Sequence, residues 1–235
     1  MLINGVAVEK YGAKQLTVDF SPSTQETTYE WNAGARLPIM VDHRATFKTV
    51  TILLKLKGET RQEVNRNASY LHYLATGETE YTLDGYKDWV FVGSLKADPT
   101  LKKTVDKHVY KFTLTATGYM RNREMQREAI IRQKQAKVYV EGTRDTPIMM
   151  QITPVVDIPT FSIYGVAERG IIIKNLTKDV PIFVDGLTGL VTENEQNKFN
   201  DVIMFEFPHL KPGEQTITFS ESVCNVEIKY YPMWM

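Results

Sequence analysis

The sequence predicts a mainly β protein in two parts, with one α-helix in the first. Three observations carry that expectation. Apolar and polar residues alternate with a period of two in three long segments. Turn-forming pairs separate these from many shorter strand candidates: Asp84-Gly85, Glu141-Gly142, Asp185-Gly186 and Pro212-Gly213. One segment, residues 60–76, changes to helical spacing.

From the N-terminus, residues 16–20 are a short strand candidate. Residues 28–39, with Trp31 and Arg36, follow no strand pattern and are expected to be irregular. In 46–56, Val50, Ile52, Leu54 and Leu56 share one face, with Thr49, Thr51 and Lys55 opposite, as successive strand side chains must. In 60–76, Val64, Ala68, Leu71 and Ala75 recur at helical spacing. Thr60 with Glu63 fits a capping box, and Gly77 fits the stop. A helix this short needs a sheet to cover its apolar stripe. Candidates at 80–83 and 89–95 precede 108–116, where Tyr110, Phe112, Leu114 and Ala116 face one way. Further candidates are 137–140, 149–155, 170–174, 181–184 and 215–219. In the last, 223–230, Cys224, Val226, Ile228 and Tyr230 alternate with Asn225, Glu227 and Lys229. Many short strands with regular turns imply a sandwich or barrel.

The 235 residues are 43% hydrophobic and 24% charged, enough for a sizeable core. Twenty-eight basic residues balance 28 acidic ones, which argues against nonspecific nucleic-acid binding as the main task. The balance hides an asymmetry. Residues 1–140 hold 21 basic and 15 acidic side chains, and residues 141–235 hold 7 and 13. That sign change puts a domain boundary between residues 120 and 147, dividing 1–138 from 139–235. Six basic residues crowd 121–137 against Glu124 and Glu128. They are expected to form a solvated linker or edge strand; the functional alternative is an anionic partner.

Chemistry is sparse. His43, His72, His108 and His209 have no metal-ligand spacing. The sequence has no Gly-x-Ser-x-Gly elbow and no phosphate-binding glycine loop. Glu193, Glu195 and Asp201 are the best carboxylate cluster, but they fall in a polar loop expected to be solvated, which gives no burial to raise one pKa. Cys224 falls on an inward strand face and is expected to be inert. A single cysteine also excludes an intramolecular disulfide. No apolar run approaches the ~18 residues of a spanning helix, and no secretory leader is apparent. Folding in a reducing cytoplasm is therefore expected, and the sequons at Asn67 and Asn175 are discounted. Trp31 fits core or subunit-interface packing better than sugar stacking. No catalytic residue, metal ligand or cofactor is expected, so elimination favours binding or assembly.

The C-terminal third adds an ordered set of motifs. Asp185-Gly186-Leu187-Thr188-Gly189 is followed by Phe205-Glu206-Phe207-Pro208-His209-Leu210-Lys211-Pro212-Gly213. The chain closes on Tyr230-Tyr231-Pro232-Met233-Trp234. In this order the sequence resembles the distal tail protein (Dit) family of long-tailed (siphovirus) phages infecting Gram-positive bacteria. The opening Ile3-Asn4-Gly5-Val6, the strand at 49–56 and the single helix before a hairpin look like the same family.

The resemblance implies an N-terminal β domain that forms a ring, typically a hexamer, around a DNA channel. It implies a galectin-like antiparallel β-sandwich at the C-terminus, in the short form without a carbohydrate-binding insertion. The implied partners are further copies of the chain, the tail tube protein, the tail-associated lysin or tip protein and a receptor-binding protein. No membrane is implied, and DNA only passes through the channel. The implied location is the virion tail tip, after synthesis in the host cytoplasm. Trp31 and Arg36 are expected at the ring interface. Arg121, Arg123 and Arg127 are expected at an acidic partner or the passing DNA. Within the motifs, Asp185-Gly186 is expected to allow positive φ at a tight turn, and Gly189 to let the next strand start close by. Phe205 and Phe207 are expected to enter one core face, and Pro208 to end that strand. Pro212-Gly213 is expected to turn into 215–219. The alternative function is a carbohydrate-binding module for host cell-wall polysaccharide; a glycosidase lacks a convergent polar site.

Overall fold

The computed structural model describes the backbone of residues 1–23 and 25–234; the side chains of Gln25 and of residues 42–45, His43 among them, lie outside the description. The chain divides into two compact units, Met1–Arg123 and Glu124–Trp234. Both are built on antiparallel sheets.

The first unit contains β1 (Leu2–Ile3), β2 (Val6–Ala7), β3 (Ala13–Ser21), β4 (Gln25–Glu30), β5 (Ile39–Ala45) and β6 (Lys48–Lys57). Then come α1 (Arg61–Leu74), β7 (Thr79–Thr82), β8 (Trp89–Lys103) and β9 (Val109–Asn122). Its main sheet runs β2-β1-β7-β8-β9-β6-β3. The alternation read in the sequence gives its core: Val50, Ile52, Leu54 and Leu56 of β6, and Tyr110, Phe112, Leu114 and Ala116 of β9, are all buried. Helix α1 adds Val64, Ala68 and Leu71 to the buried side, and Ala75, just past its end, is buried with them. Thr60 caps its start as the sequence predicts, while the reciprocal bond of the box falls one residue earlier, at Glu59. The Glu63 amide donates to Thr60 Oγ1 at 3.1 Å, and Glu63 Oε2 accepts from the Glu59 amide at 2.9 Å.

Strand β8 runs well past the 89–95 candidate. Register shifts near Ala97 and between Ala97 and Thr100 break the period there, and Pro99 sits in that bulge, where no ladder donor is needed. Residues 28–39 are not irregular throughout. They include the end of β4, a connection and the start of β5, which pair as a separate two-stranded sheet. A bulge between Thr28 and Tyr29 interrupts the alternation and hides the hairpin from pattern reading.

The second unit contains β10 (Gln126–Ile131), β11 (Gln135–Val140), β12 (Thr146–Pro154), β13 (Ile158–Tyr164), β14 (Ile171–Leu176) and β15 (Ile182–Asp185). It continues with β16 (Val191–Glu193), β17 (Gln196–Asn197), β18 (Val202–Met204), β19 (His209–Leu210), β20 (Gly213–Phe219) and β21 (Cys224–Tyr230). One sheet runs β10-β21-β12-β15-β16-β17 and the other β11-β20-β13-β14-β18. A single core joins them, with Ile148, Met150, Ile152, Val226 and Ile228 from the first and Phe161, Ile163, Ile173 and Ile217 from the second.

The division falls at Arg123/Glu124, earlier than residue 138. Strands β10 and β11 pair with β21 and β20, so residues 126–140 belong to the second unit's sheets. They occupy the outer edge of each sheet. The charge change trails the division because edge strands carry solvated basic side chains. Among the described residues, no helix is long and apolar enough to cross a membrane.

Candidate assembly surfaces

The most unusual surface is the β4–β5 hairpin. Tyr29, Trp31, Leu37, Ile39, Met40 and Val41 are all exposed, Trp31 to 67% and Leu37 to 76%. Arg36 is exposed beside them. Tyr29 lies opposite Met40, and Glu30 opposite Ile39. Directly opposed residues share a face, so apolar side chains occupy both faces of the ribbon. A two-stranded hairpin is marginal in water by itself, and apolar area of this kind marks a protein contact.

The basic segment is divided between the two units. Arg121 ends β9 with its guanidinium on the Glu80 carboxylate and on the Asn122 carbonyl. Arg123 and Arg127 are exposed, Arg123 closing the first unit and Arg127 in β10 of the second.

The motifs of 185–213 lie in the second unit. Asp185 organises the turn: Oδ1 accepts from the Leu187 amide at 2.8 Å and Oδ2 from the Thr188 hydroxyl at 2.7 Å. Gly186 does not have positive φ. It is required by close approach instead, since a Cβ there would lie 2.1 Å from the Pro208 carbonyl oxygen and 2.6 Å from that of Ile148. Gly189 does have positive φ, 71°, and the Phe207 ring lies against it. Phe205 and Phe207 do not enter the core: β18 ends at Met204, and the rings are 67% and 52% exposed. The Arg169 guanidinium stands 5.3 Å from the centroid of Phe205. Pro208 is buried, and its carbonyl accepts from the Ile148 amide at 3.1 Å. Gly213 opens β20, whose Ile217 and Phe219 point inward.

The carboxylate cluster is not a solvated turn. Lys198, only 9% exposed, fills it. Its ammonium donates to Glu193 Oε2 at 2.8 Å and to the Asn175 carbonyl at 2.9 Å, and lies 3.4 Å from Asp201 Oδ2. Asp201 Oδ1 in turn accepts from the Asn175 side chain at 3.1 Å, while Glu195 stands exposed outside. Sequence reading passed over Lys198 because a lysine in a polar loop carries no sign of burial. Cys224 is buried, and that burial, with Glu221 nearby, pushes its thiol up to about 11. Among the described residues, no group of three or more histidine, cysteine or acidic side chains is placed to hold a metal ion. On the outer face of the β12–β15–β21 sheet lies an open cleft of about 290 Å³. Met149, Gln151, Phe183, Leu190, Thr192 and Lys229 line it.

Residues 141–234 match the family model described as the siphovirus-type tail component, C-terminal domain. The likeness falls within the second unit. The whole chain has the Dit fold: it matches the crystal structure of the Dit protein of phage SPP1 with a TM-score of 0.76. That match covers 100% of this chain and 98% of the other at 12% identity. The SPP1 protein is described as a paradigm of the hub adsorption apparatus in phages infecting Gram-positive bacteria. Two structures of the phage P2 baseplate in its activated conformation, with Ca and with Sr, match with TM-scores of 0.49 and 0.46. Their identities are 13% and 12%, each over 95% of this chain and 91% of that chain. No curated protein matches the chain in sequence.

Proposed function

We propose that this protein is the hub of a phage tail tip. Six copies form a ring that joins the tail tube to the tail-associated lysin or tip protein around the DNA channel, and a receptor-binding protein attaches to the same assembly. Its place is the virion tail tip, and its role is structural, with no catalytic step and no cofactor. The tail-component match over 141–234 and the Dit fold over the whole chain support this reading.

The observation that carries self-assembly is the exposed β4–β5 hairpin. A closed head-to-tail ring needs two different, complementary patches on each subunit. The hairpin supplies one, with Trp31 and Arg36 as its anchors, the residue types that dominate interface energetics. Trp31→Ala should weaken self-association at least tenfold, about 1.4 kcal/mol, while leaving the unfolding midpoint of the unassembled chain in place. Sedimentation of both proteins across a concentration series tests this, and unchanged assembly removes the hairpin from the interface. Arg123 and Arg127 are the exposed contacts for an acidic partner; Arg121, held by Glu80, is a structural residue of β9.

The β12–β15–β21 cleft favours a second reading, recognition of cell-wall polysaccharide. Phe183 offers a half-exposed ring for stacking, with Gln151, Thr192 and Lys229 as polar neighbours. Phe183→Ala should abolish retention on purified host cell wall if the cleft binds glycan.

A further inference from the structure

The register of the first unit's main sheet places lysines in a row. Lys102 of β8 lies opposite Lys111 of β9, Lys111 opposite Lys55 of β6, and Lys55 opposite Lys14 of β3. Lys57 follows Lys55 two positions on, so it shares that face. The neighbours of these residues, Ala13, Leu54, Leu56, Tyr110 and Phe112, are buried on the opposite face, so the lysines point to solvent. Strands lie about 4.8 Å apart, so the four-lysine row is about 14 Å long. Among the described residues, no carboxylate pairs with any of the five. Like charges directly opposite on a sheet repel, and four in succession call for an anionic counterpart.

We infer that this face binds the phosphate backbone of duplex DNA. Three features favour a nucleic-acid backbone over an acidic protein. All five cations are lysine and none is arginine, whereas stable protein interfaces enrich arginine and deplete lysine. The adjoining row sets Thr17 opposite Leu53, Leu53 opposite Thr113 and Thr113 opposite Thr100, and supplies no aromatic anchor. A flat line of hydrated point charges suits wet contact with phosphates that carries no base information. The zero net charge of the whole chain conceals this local field, because the second unit holds the acidic excess. The inference stands apart from ring formation and the β4–β5 hairpin, and its test needs no assembly.

The experiment is fluorescence anisotropy of the full chain with a labelled random-sequence DNA duplex across a salt series. Engagement of three or four phosphates predicts a slope of about −3 to −4 in log K against log salt. The combined variant Lys14→Gln, Lys55→Gln, Lys102→Gln, Lys111→Gln should lose at least tenfold in affinity at low salt and most of that slope. The pair Lys174→Gln, Lys211→Gln in the second unit should bind as the parent does. If the fourfold variant fails to fold, the double variant Lys55→Gln, Lys111→Gln should still reduce the slope by about 2. Absence of salt-dependent binding, equal binding by the variants, or tighter binding of poly-glutamate than of DNA each overturns the inference, the last in favour of an acidic protein.

Discussion

Single residues decide how tightly the second unit is closed. Gly186 stands where backbone from three places meets, and a Cβ there meets two carbonyl oxygens that no rotamer change can move. Gly186→Ala should therefore destabilise the second unit by about 3 kcal/mol or more, as backbone overpacking does; a denaturant midpoint unchanged from the parent would falsify that role. Cys224 behaves differently. Its thiol is raised from the ordinary value of 9.0 to about 11 in the fold. The unfolded chain therefore loses this proton first as pH rises. The associated stability is complete below pH ~9 and declines through pH ~11. Iodoacetamide should leave the native thiol unmodified at pH 8 and alkylate it on unfolding. At this scale the sequence was informative about Cys224, because strand alternation alone points it inward. It misled for Phe205 and Phe207, because alternation implies a strand that ends before them at Met204. At Gly186 the sequence pointed to positive φ in a tight turn, but the requirement is close approach to Pro208, more than twenty residues away in sequence and invisible to local turn rules.

At the scale of elements, pattern reading succeeds where one regular face is buried. Strands β6, β9 and β21 and helix α1 appear where period and capping place them, because the core imposes a single register. It fails for β4 and β5, where apolar residues occupy both faces and a bulge shifts the phase. The lysine row was equally hidden, since it is a property of pairing across four strands. Removing those charges should raise stability, by roughly 0.2–1 kcal/mol for each opposed pair relieved. The parent should gain stability as salt rises, and the fourfold lysine variant should gain less; thermal melts at two ionic strengths read this directly. Lys198 has the opposite sign. It ties Glu193, Asn175 and Asp201 together from a buried position, so Lys198→Ala leaves Glu193 unpaired and should cost about 3–5 kcal/mol. Denaturant titration checks it, and a loss below 1 kcal/mol would show that solvent already screens the cluster.

For the whole molecule, two units divide the work. The first presents the apolar hairpin and the lysine row, and the second is similar to the tail-component domain over residues 141–234. Motif order in the C-terminal third made that domain legible, because Gly186, Gly189, Phe207 and Pro208 form one contact cluster that the fold requires. Residues 28–39 stood out in the sequence only as an irregular, partly apolar segment, because the bulge hides the hairpin they form. Closure of six copies into a ring is tested by light scattering coupled to size exclusion, with negative-stain imaging of the same peak. A closed ring gives a species of six 26.9 kDa chains, 161.4 kDa in all, with a central opening. A chain that stays at 26.9 kDa up to its highest soluble concentration, or that forms closed dimers without an opening, would contradict it.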